Sequence, residues 1–212
     1  MRGSLRLLTA AALIAVAAFS ISRGYTILHF SLESMNAESA EQRAEIVGRW
    51  GATPGLASMA LHAGLAEQLN IADQEATNRQ REALIAVLSN KPLSAREWLS
   101  LSGVQLVTDQ PMDDVLESLK MSTLTGPNEG TVMVDRGIYG VSLWGSLSPD
   151  LKSRVANDLL VTLFPRTPEE GKQGGKLRAL VAAQPERVRK ELREELLATR
   201  LSASEIEQRL GF

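Results

Sequence analysis

The chain has 212 residues, of which 44% are hydrophobic, and its 23 basic and 25 acidic side chains give a formal net charge of −2. It contains no cysteine, which excludes a disulfide framework and a thiolate metal site. The basic residues form no concentrated cluster, so nucleic-acid binding is not expected. The residues after the first 30 suffice for one domain of ordinary size.

An uncharged apolar run, LLTAAALIAVAAFSIS, occupies residues 7–22 and follows Arg2 and Arg6. As a helix its 16 residues would reach roughly 24 Å, short of a hydrocarbon core of about 30 Å. Arg23 interrupts the run, but its long side chain can reach the lipid headgroups. Apolar residues resume immediately afterwards at Tyr25, Ile27, Leu28 and Phe30. The sequence therefore predicts a signal anchor over residues 1–30.

The charges that flank this run predict its orientation. Arg2 and Arg6 favour a cytoplasmic N-terminus, which would export the rest of the chain. We expect a single-pass membrane protein whose C-terminal domain is exported. Two alternatives are a signal peptide cleaved after Ser20, where Ala18 and Ser20 are suitably small, and a buried helix of a soluble protein.

The remainder of the chain has helical rather than strand character. Asn-Gly hairpin turns and long alternating runs are missing from the sequence, whereas apolar residues recur at spacings of three and four. Capping boxes are predicted at Ser94 with Glu97 and at Ser202 with Glu205, and a helix start at Ser148 before a proline. The apolar stripes are Ala40, Ala44 and Val47; Met112, Val115, Leu116 and Leu119; and Leu151, Val155, Leu159 and Leu163.

Prolines divide this helical region at regular intervals. Pro54, Pro92, Pro127 and Pro165 are separated by 38, 35 and 38 residues, and each interval can hold two helices and their turns. Such a period predicts stacked helical hairpins. We therefore expect an all-α protein, with a helical-hairpin array at residues 31–165, a linker at 166–175 and C-terminal capping helices at 176–212.

The unit over residues 94–127 has a specific order of residue types. It contains Trp98, Leu101, the small pair Ser102 and Gly103, then Val115, Leu119 and Ser122, and finally Pro127. This order resembles the tetratricopeptide repeat, with Gln105 and Val115 in place of the family's aromatic residue and alanine and a turn one residue longer. The resemblance implies antiparallel helix pairs that bind other proteins.

The neighbouring units extend this resemblance. Residues 128–164 have Gly137 and Tyr139 in roughly corresponding places, and residues 54–90 have a longer turn at 70–73. The layout of one N-terminal anchor and a degenerate helical array is also similar to uncharacterised membrane proteins of bacterial polysaccharide assembly. That similarity implies a role in the cell envelope, with the anchor in the bacterial inner membrane and the C-terminal domain in the periplasm.

Four features of the sequence have residue types that occur in chemical sites. His29 and His62 are too far apart in the chain to suggest shared metal coordination. The stretch at residues 171–176 (GKQGGK) lacks the spacing and the Ser or Thr of a phosphate loop, so a linker is expected there. Ser102 with Gly103 suits close helix packing. Residues 125–130 suit either a ligand contact on one face of the array or, without any ligand, a helix connection. We assign no catalytic, cofactor-binding or metal-binding residue, expect no cofactor, and leave the partner-binding residues unidentified.

The tryptophans and the C-terminal helices are candidates for a core or a partner surface. Trp98 is expected in the core, and Trp50 and Trp144 are left open between core and partner contact. Short helices are predicted near residues 176–183 and 185–199. In the second of these, Val188, Leu192 and Leu196 form an apolar stripe that either caps the array or pairs with a partner helix.

Two classes of function follow from these patterns. The first is a membrane-tethered scaffold whose helical array binds another cell-envelope protein in polysaccharide assembly or export. The alternative is an envelope enzyme that acts on glycan with separated acidic residues. The acidic residues considered for it are Glu97, Asp113, Asp135 and Asp150, which also suit helix starts and solvated faces.

Overall fold

The computed structural model describes residues 2–36, 40–50, 53, 74–165, 167–168, 172–199 and 201–211. Within these ranges the chain forms ten α-helices and one 3-10 helix and no strand, which confirms the all-α prediction. The helices are α1 (Arg2–Asn36), α2 (Ala40–Trp50), α3 (Gln74–Asn90), α4 (Ala95–Val107), α5 (Met112–Thr125), α6 (Gly130–Ser142), the 3-10 helix (Trp144–Ser146), α7 (Pro149–Leu163), α8 (Gly174–Ala182), α9 (Glu186–Ala198) and α10 (Ala203–Leu210).

The helices belong to two compact units, residues 1–70 and residues 71–212. In the first unit α1 is one uninterrupted helix of 35 residues, and its Ala12–Asn36 part is long and apolar enough to cross a membrane. The N-terminal apolar helix predicted from the sequence is therefore present. Large apolar side chains along it are exposed, namely Leu13, Ile14, Val16, Phe19, Ile21, Tyr25, Leu28, Leu32 and Met35.

The helix α2 packs against the C-terminal part of α1. Phe30 of α1 and Ile46 of α2 are both buried, at 4% and 6% exposure. The predicted stripe of Ala40, Ala44 and Val47 falls on α2, but those side chains lie outside the described residues. Residues 54–73, with Pro54 and His62, are likewise outside the described part, so the predicted hairpin at 54–90 is seen only in its second helix, α3.

The second unit contains two consecutive helical hairpins. Residues 108–111 join α4 to α5, with Asp109 in a left-handed conformation at φ 52°, which aspartate tolerates better than most residues. The 3-10 helix joins α6 to α7. Helices end before Pro92, Pro127 and Pro165, as expected of a residue that lacks a backbone N–H and clashes with the preceding turn. The predicted helix breaks at these three prolines are confirmed.

The predicted helix caps were correct at two of three positions. Ser202 accepts a hydrogen bond from the Glu205 backbone N–H while the Glu205 carboxylate accepts one from Ser202 N. Ser148 caps α7, with Pro149 at the first helical position. The capping box predicted at Ser94 is wrong, because the Ser94 hydroxyl donates to the Glu97 carboxylate and makes no cap bond to the backbone.

A continuous apolar core runs through α5 to α10. Trp144, at 1% exposure, is its largest fully buried side chain, so this tryptophan belongs to the core. The prediction that Trp98 is a core residue is wrong, because Trp98 is half-buried and its indole donates to Pro92 O at 2.8 Å. The buried side chains of this core include Val115, Leu119, Val134, Val141, Leu151, Val155, Leu159 and Leu163.

The C-terminal helices α8, α9 and α10 contribute to the same core. Their buried side chains include Leu177, Leu192, Leu196 and Ile206, and Val188 packs partly buried beside them. Lys152 of α7 donates to Glu191 of α9 at 2.6 Å. This bond and a second one from Arg187 lower the pKa of Glu191 to about 2. The terminal helices therefore belong to the compact unit of residues 71–212.

The contact between α6 and α7 requires glycine at position 140. A Cβ placed there would lie 2.5 Å from Cγ2 of Val155 and 3.2 Å from its Cβ, and a β-branched side chain has little freedom to move away. We expect Gly140→Ala to lower the free energy of unfolding by about 1–3 kcal/mol, measured by urea unfolding of the full chain in mild detergent.

A matched control for this change is Gly103→Ala in α4. A Cβ at position 103 meets nothing within 4 Å, so the substitution should be neutral or stabilise the helix by up to about 1 kcal/mol. Equal effects of the two substitutions would contradict the close approach of α6 and α7.

Candidate functional site

Three helices of the second unit lie side by side in the order α4, α6, α8. Contacts join α4 to α6 and α6 to α8. Arg96 of α4 donates to Thr131 Oγ1 at 3.1 Å and lies 3.5 Å from the Asp135 carboxylate of α6. Ser102 Oγ lies 3.2 Å from the hydroxyl of Tyr139. The first helices of the two hairpins and α8 therefore form one row, which we call the α4–α6–α8 row.

A cleft of about 540 Å³ opens between α6 and α8 in this row. Its two walls come from segments about 40 residues apart in the sequence, and we call it the α6–α8 cleft. One wall presents residues at spacings of three and four along α6, and the other presents the start of α8 and the turn before it. The lining residues are Asp135, Ile138, Tyr139, Ser142, Gln173, Lys176, Ala179 and Leu180.

The cleft combines opposite charges, neutral polar groups and apolar side chains. Asp135 provides a carboxylate that is about half exposed, and Lys176 provides an ammonium group from the other wall. Ile138 and Leu180 supply apolar contact surface. A ligand that makes both polar and apolar contacts along an extended path, such as a peptide segment, suits this set of groups.

The Tyr139 hydroxyl lies at the contact between α4 and α6. The Ser102 hydroxyl lies 2.7 Å from Val115 O and 3.2 Å from the Tyr139 hydroxyl, and both oxygens accept from it. Burial raises the pKa of the Tyr139 hydroxyl above its ordinary value, so it remains a neutral donor at physiological pH. This environment favours a role in positioning and binding, because a general base would need a pKa near neutrality.

A buried ion pair joins three helices, α5, α6 and α7. Arg136 of α6 donates to both carboxylate oxygens of Asp158 on α7, at 2.5 and 2.9 Å. Its remaining nitrogen donates to the Ser122 and Gly126 carbonyls at the end of α5, at 2.7 and 3.3 Å. Burial raises the pKa of Asp158, and the hydrogen bonds from Arg136 oppose this effect. The pair fixes α6, and with it one wall of the α6–α8 cleft.

Sequence analysis did not identify this pair or the cleft. A signal for Arg136 existed, because it follows Val132 by four residues and precedes Tyr139 by three, which places a charge on the apolar face of α6. Val132 and Arg136 are both fully buried. The partner Asp158 gave no comparable signal, because acidic residues are common on helix surfaces.

The acidic residues considered for a glycan-directed enzyme are not brought together. Glu97 is buried at the start of α4 beside Ser94, and Asp150 is exposed and pairs with Arg154 at the start of α7. Asp113 is exposed in the first turn of α5. Of the four, only Asp135 lines the α6–α8 cleft. The cleft therefore lacks the paired carboxylates of glycoside hydrolysis among its described residues.

The other candidate segments have structural explanations. Gly126, in the connection at residues 125–130, lies so close to Ala95 that a Cβ would come within 2.4 Å of the Ala95 side chain. Arg136 further ties this connection to α6. Lys176 of the glycine-rich stretch lies in α8 and lines the cleft, whereas Gly171 is outside the described residues. The linker predicted to end at residue 175 overlaps the start of α8 by two residues.

Across the described residues there is no group of three or more His, Cys, Asp or Glu side chains that could hold a metal ion. His29 lies in α1, and His62 is outside the described part of the chain. No family model, curated protein or solved structure matches this chain.

Proposed function

We propose that the protein is a membrane-tethered helical scaffold whose second unit binds another cell-envelope protein. The observation that carries the proposal is the α6–α8 cleft, whose walls are mostly helical and whose lining groups suit a peptide segment. A helical row that contains an open cleft offers an extended binding surface, and a membrane tether raises the encounter rate with partners in the same membrane. The cellular process proposed is polysaccharide assembly or export.

The surface of α1 supports the tether. Its apolar side chains are exposed over most of the length from Leu13 to Met35, and an aqueous environment would not favour so long an apolar face. The hydroxyls of Ser20, Thr26 and Ser31 each donate to a carbonyl four residues earlier at 2.8 Å. These bonds satisfy the three hydroxyl donors within the helix, so none of the three needs water.

We also propose that the hairpins are degenerate tetratricopeptide-like repeats. In support, the first helix of the α4–α5 hairpin contacts the first helix of the α6–α7 hairpin, as expected of stacked repeats. Small residues lie at the close contacts, since a Cβ on Gly137 would come within 3.2 Å of the Leu159 backbone nitrogen. The α4–α6–α8 row would then be the binding face, and α8 to α10 would close the array.

The partner segment is proposed to lie along the α6–α8 cleft in an extended form. Lys176 and Asp135 would pair with a carboxylate and a basic group of the partner, and Tyr139 and Gln173 would bind its backbone. Ile138 and Leu180 would contact its apolar side chains. Because the charged and apolar side chains of the cleft lie at fixed spacings, a partner segment must match both, and this gives specificity without a large interface.

The membrane topology can be tested on the full chain. A reporter that is active only outside the cytoplasm, fused after Phe212, should be active, because Arg2 and Arg6 favour a cytoplasmic N-terminus. The protein should remain with membranes after an alkaline wash, because α1 is long enough to span them. A soluble form beginning near Ile21 would contradict the retained anchor while leaving export intact.

The binding role of the cleft can be tested by filling it. Ala179→Trp places a large ring between the walls, and we expect partner capture from membranes to fall at least about tenfold, equal to about 1.4 kcal/mol. Ala182→Trp, at an exposed position of the same helix, should leave capture unchanged. A photo-crosslinking residue at position 179 would identify the partner. Equal capture by the two tryptophan variants would contradict the assignment of the cleft.

A further inference from the structure

The first unit carries an aromatic cluster at the contact between α1 and α2. The rings of Tyr25 and His29 are 6.1 Å apart, His29 and Trp50 are 5.7 Å apart, and Phe30 meets Trp50 edge to face at 6.3 Å. Tyr25 is 69% exposed, and Trp50 is half-buried. We call these four residues the aromatic cluster.

Polar bonds hold α2 in place beside this cluster. The Glu33 carboxylate accepts a hydrogen bond from Arg49 at 2.5 Å and one from the Trp50 indole N–H at 2.6 Å. Because Glu33 satisfies the indole N–H, the rest of the Trp50 ring is available for apolar contact. The helix α2 therefore ends with an aromatic side chain fixed at the level of residues 25–33 of α1.

The position of the aromatic cluster along α1 corresponds to the thickness of a bilayer. From Arg6 to Tyr25 the helix rises by about 28 Å, and from Arg6 to His29 by about 35 Å. The hydrocarbon core is about 30 Å thick, so when Arg6 lies at one boundary the cluster lies at the other. Arg23 is then about one helical turn from the boundary, and its side chain is long enough to reach the headgroups over that distance.

We propose that the aromatic cluster lies at the headgroup level on the periplasmic face of the membrane and fixes the depth of α1. The helix α2 then lies in this interface. This inference rests on the proposed membrane tether. Tyr and Trp side chains favour this zone because their rings are apolar and their polar tips remain hydrated or bonded. The partner of this surface is the lipid bilayer, and it continues the exposed apolar face of α1.

The absence of cysteine from the chain makes the depth measurable with single-cysteine variants. A spin label is placed at Leu13, Leu28 or Gly48 of the full chain in vesicles of phosphatidylcholine and phosphatidylglycerol. Leu13 and Leu28 are exposed, and a side chain at Gly48 meets no atom within 4 Å. Leu93, which is 78% exposed in the second unit, serves as the aqueous control. Relative accessibility to oxygen and to a nickel chelate then reports depth.

The expected depths separate the inference from the tether on which it rests. The label at 13 should lie in the hydrocarbon, those at 28 and 48 within about 10 Å of the phosphate level, and that at 93 in water. A label at 13 in water would overturn the tether itself. A label at 13 in the hydrocarbon, with those at 28 and 48 fully aqueous or deep in the core, would overturn only the position of the cluster.

A ring-removal variant tests whether the cluster determines depth. Tyr25→Ala with Trp50→Ala should move the label at 28 by about one helical turn, or 5 Å, whereas Tyr25→Trp with Trp50→Tyr should leave it in place. If only the label at 48 moves, the rings merely pack α2 on α1 and the inference fails. If the spectrum of the label at 48 is broadened, and dilution with unlabelled protein removes the broadening, the surface contacts a second copy of the chain and the inference fails.

Discussion

Replacing Trp144 with alanine is expected to lower the free energy of unfolding by about 3–5 kcal/mol, because a large ring is removed from a core that cannot close around the void. Trp144 is 1% exposed and lies in the 3-10 helix between α6 and α7. Lys152 lies 5.8 Å from the centre of its ring. The loss should therefore affect both helices of the hairpin and the contact of α7 with α9.

The control for this prediction is Trp98→Ala. Trp98 is half-buried and its indole is bonded to a backbone carbonyl at the surface, so the loss should be well below that at position 144. Urea unfolding of the full chain in mild detergent, followed by circular dichroism, measures both. A larger loss at position 98 than at position 144 would contradict the core described here.

Replacing Asp158 with alanine is expected to cost about 3–5 kcal/mol of folding free energy, because it leaves the Arg136 guanidinium buried without its counter-ion. The two side chains are 1% and 5% exposed, so water cannot replace the lost bonds. The loss should also loosen the end of α5, where Arg136 binds the Ser122 and Gly126 carbonyls.

Two further variants identify the source of this cost. Asp150→Ala breaks an exposed pair with Arg154 and should cost no more than about 1 kcal/mol. The double variant Arg136→Met with Asp158→Leu removes both charges and should be more stable than Asp158→Ala alone, because no unpaired charge remains. If the double variant is the less stable of the two, the bonds from Arg136 to α5 outweigh its pairing with Asp158.

Local features of the sequence were sufficient for much of the fold. Proline stops a helix within one turn, and a capping serine accepts a hydrogen bond from the backbone N–H three residues later. The breaks at Pro92, Pro127 and Pro165 and the caps at Ser148 and Ser202 were therefore predicted correctly. The apolar helix at the N-terminus was equally evident, because its length and composition depend on no other part of the chain.

Other features depend on residues that are distant in the chain, and only the tertiary structure decided them. Periodicity cannot distinguish Trp98 from Trp144, since burial depends on which helix packs above each ring. Asp158 pairs with a residue 22 positions earlier, and the α6–α8 cleft needs two walls from separate segments. Both arise from the angle and register at which helices pack, which are set by side-chain contacts between helices and not by the pattern within any one of them.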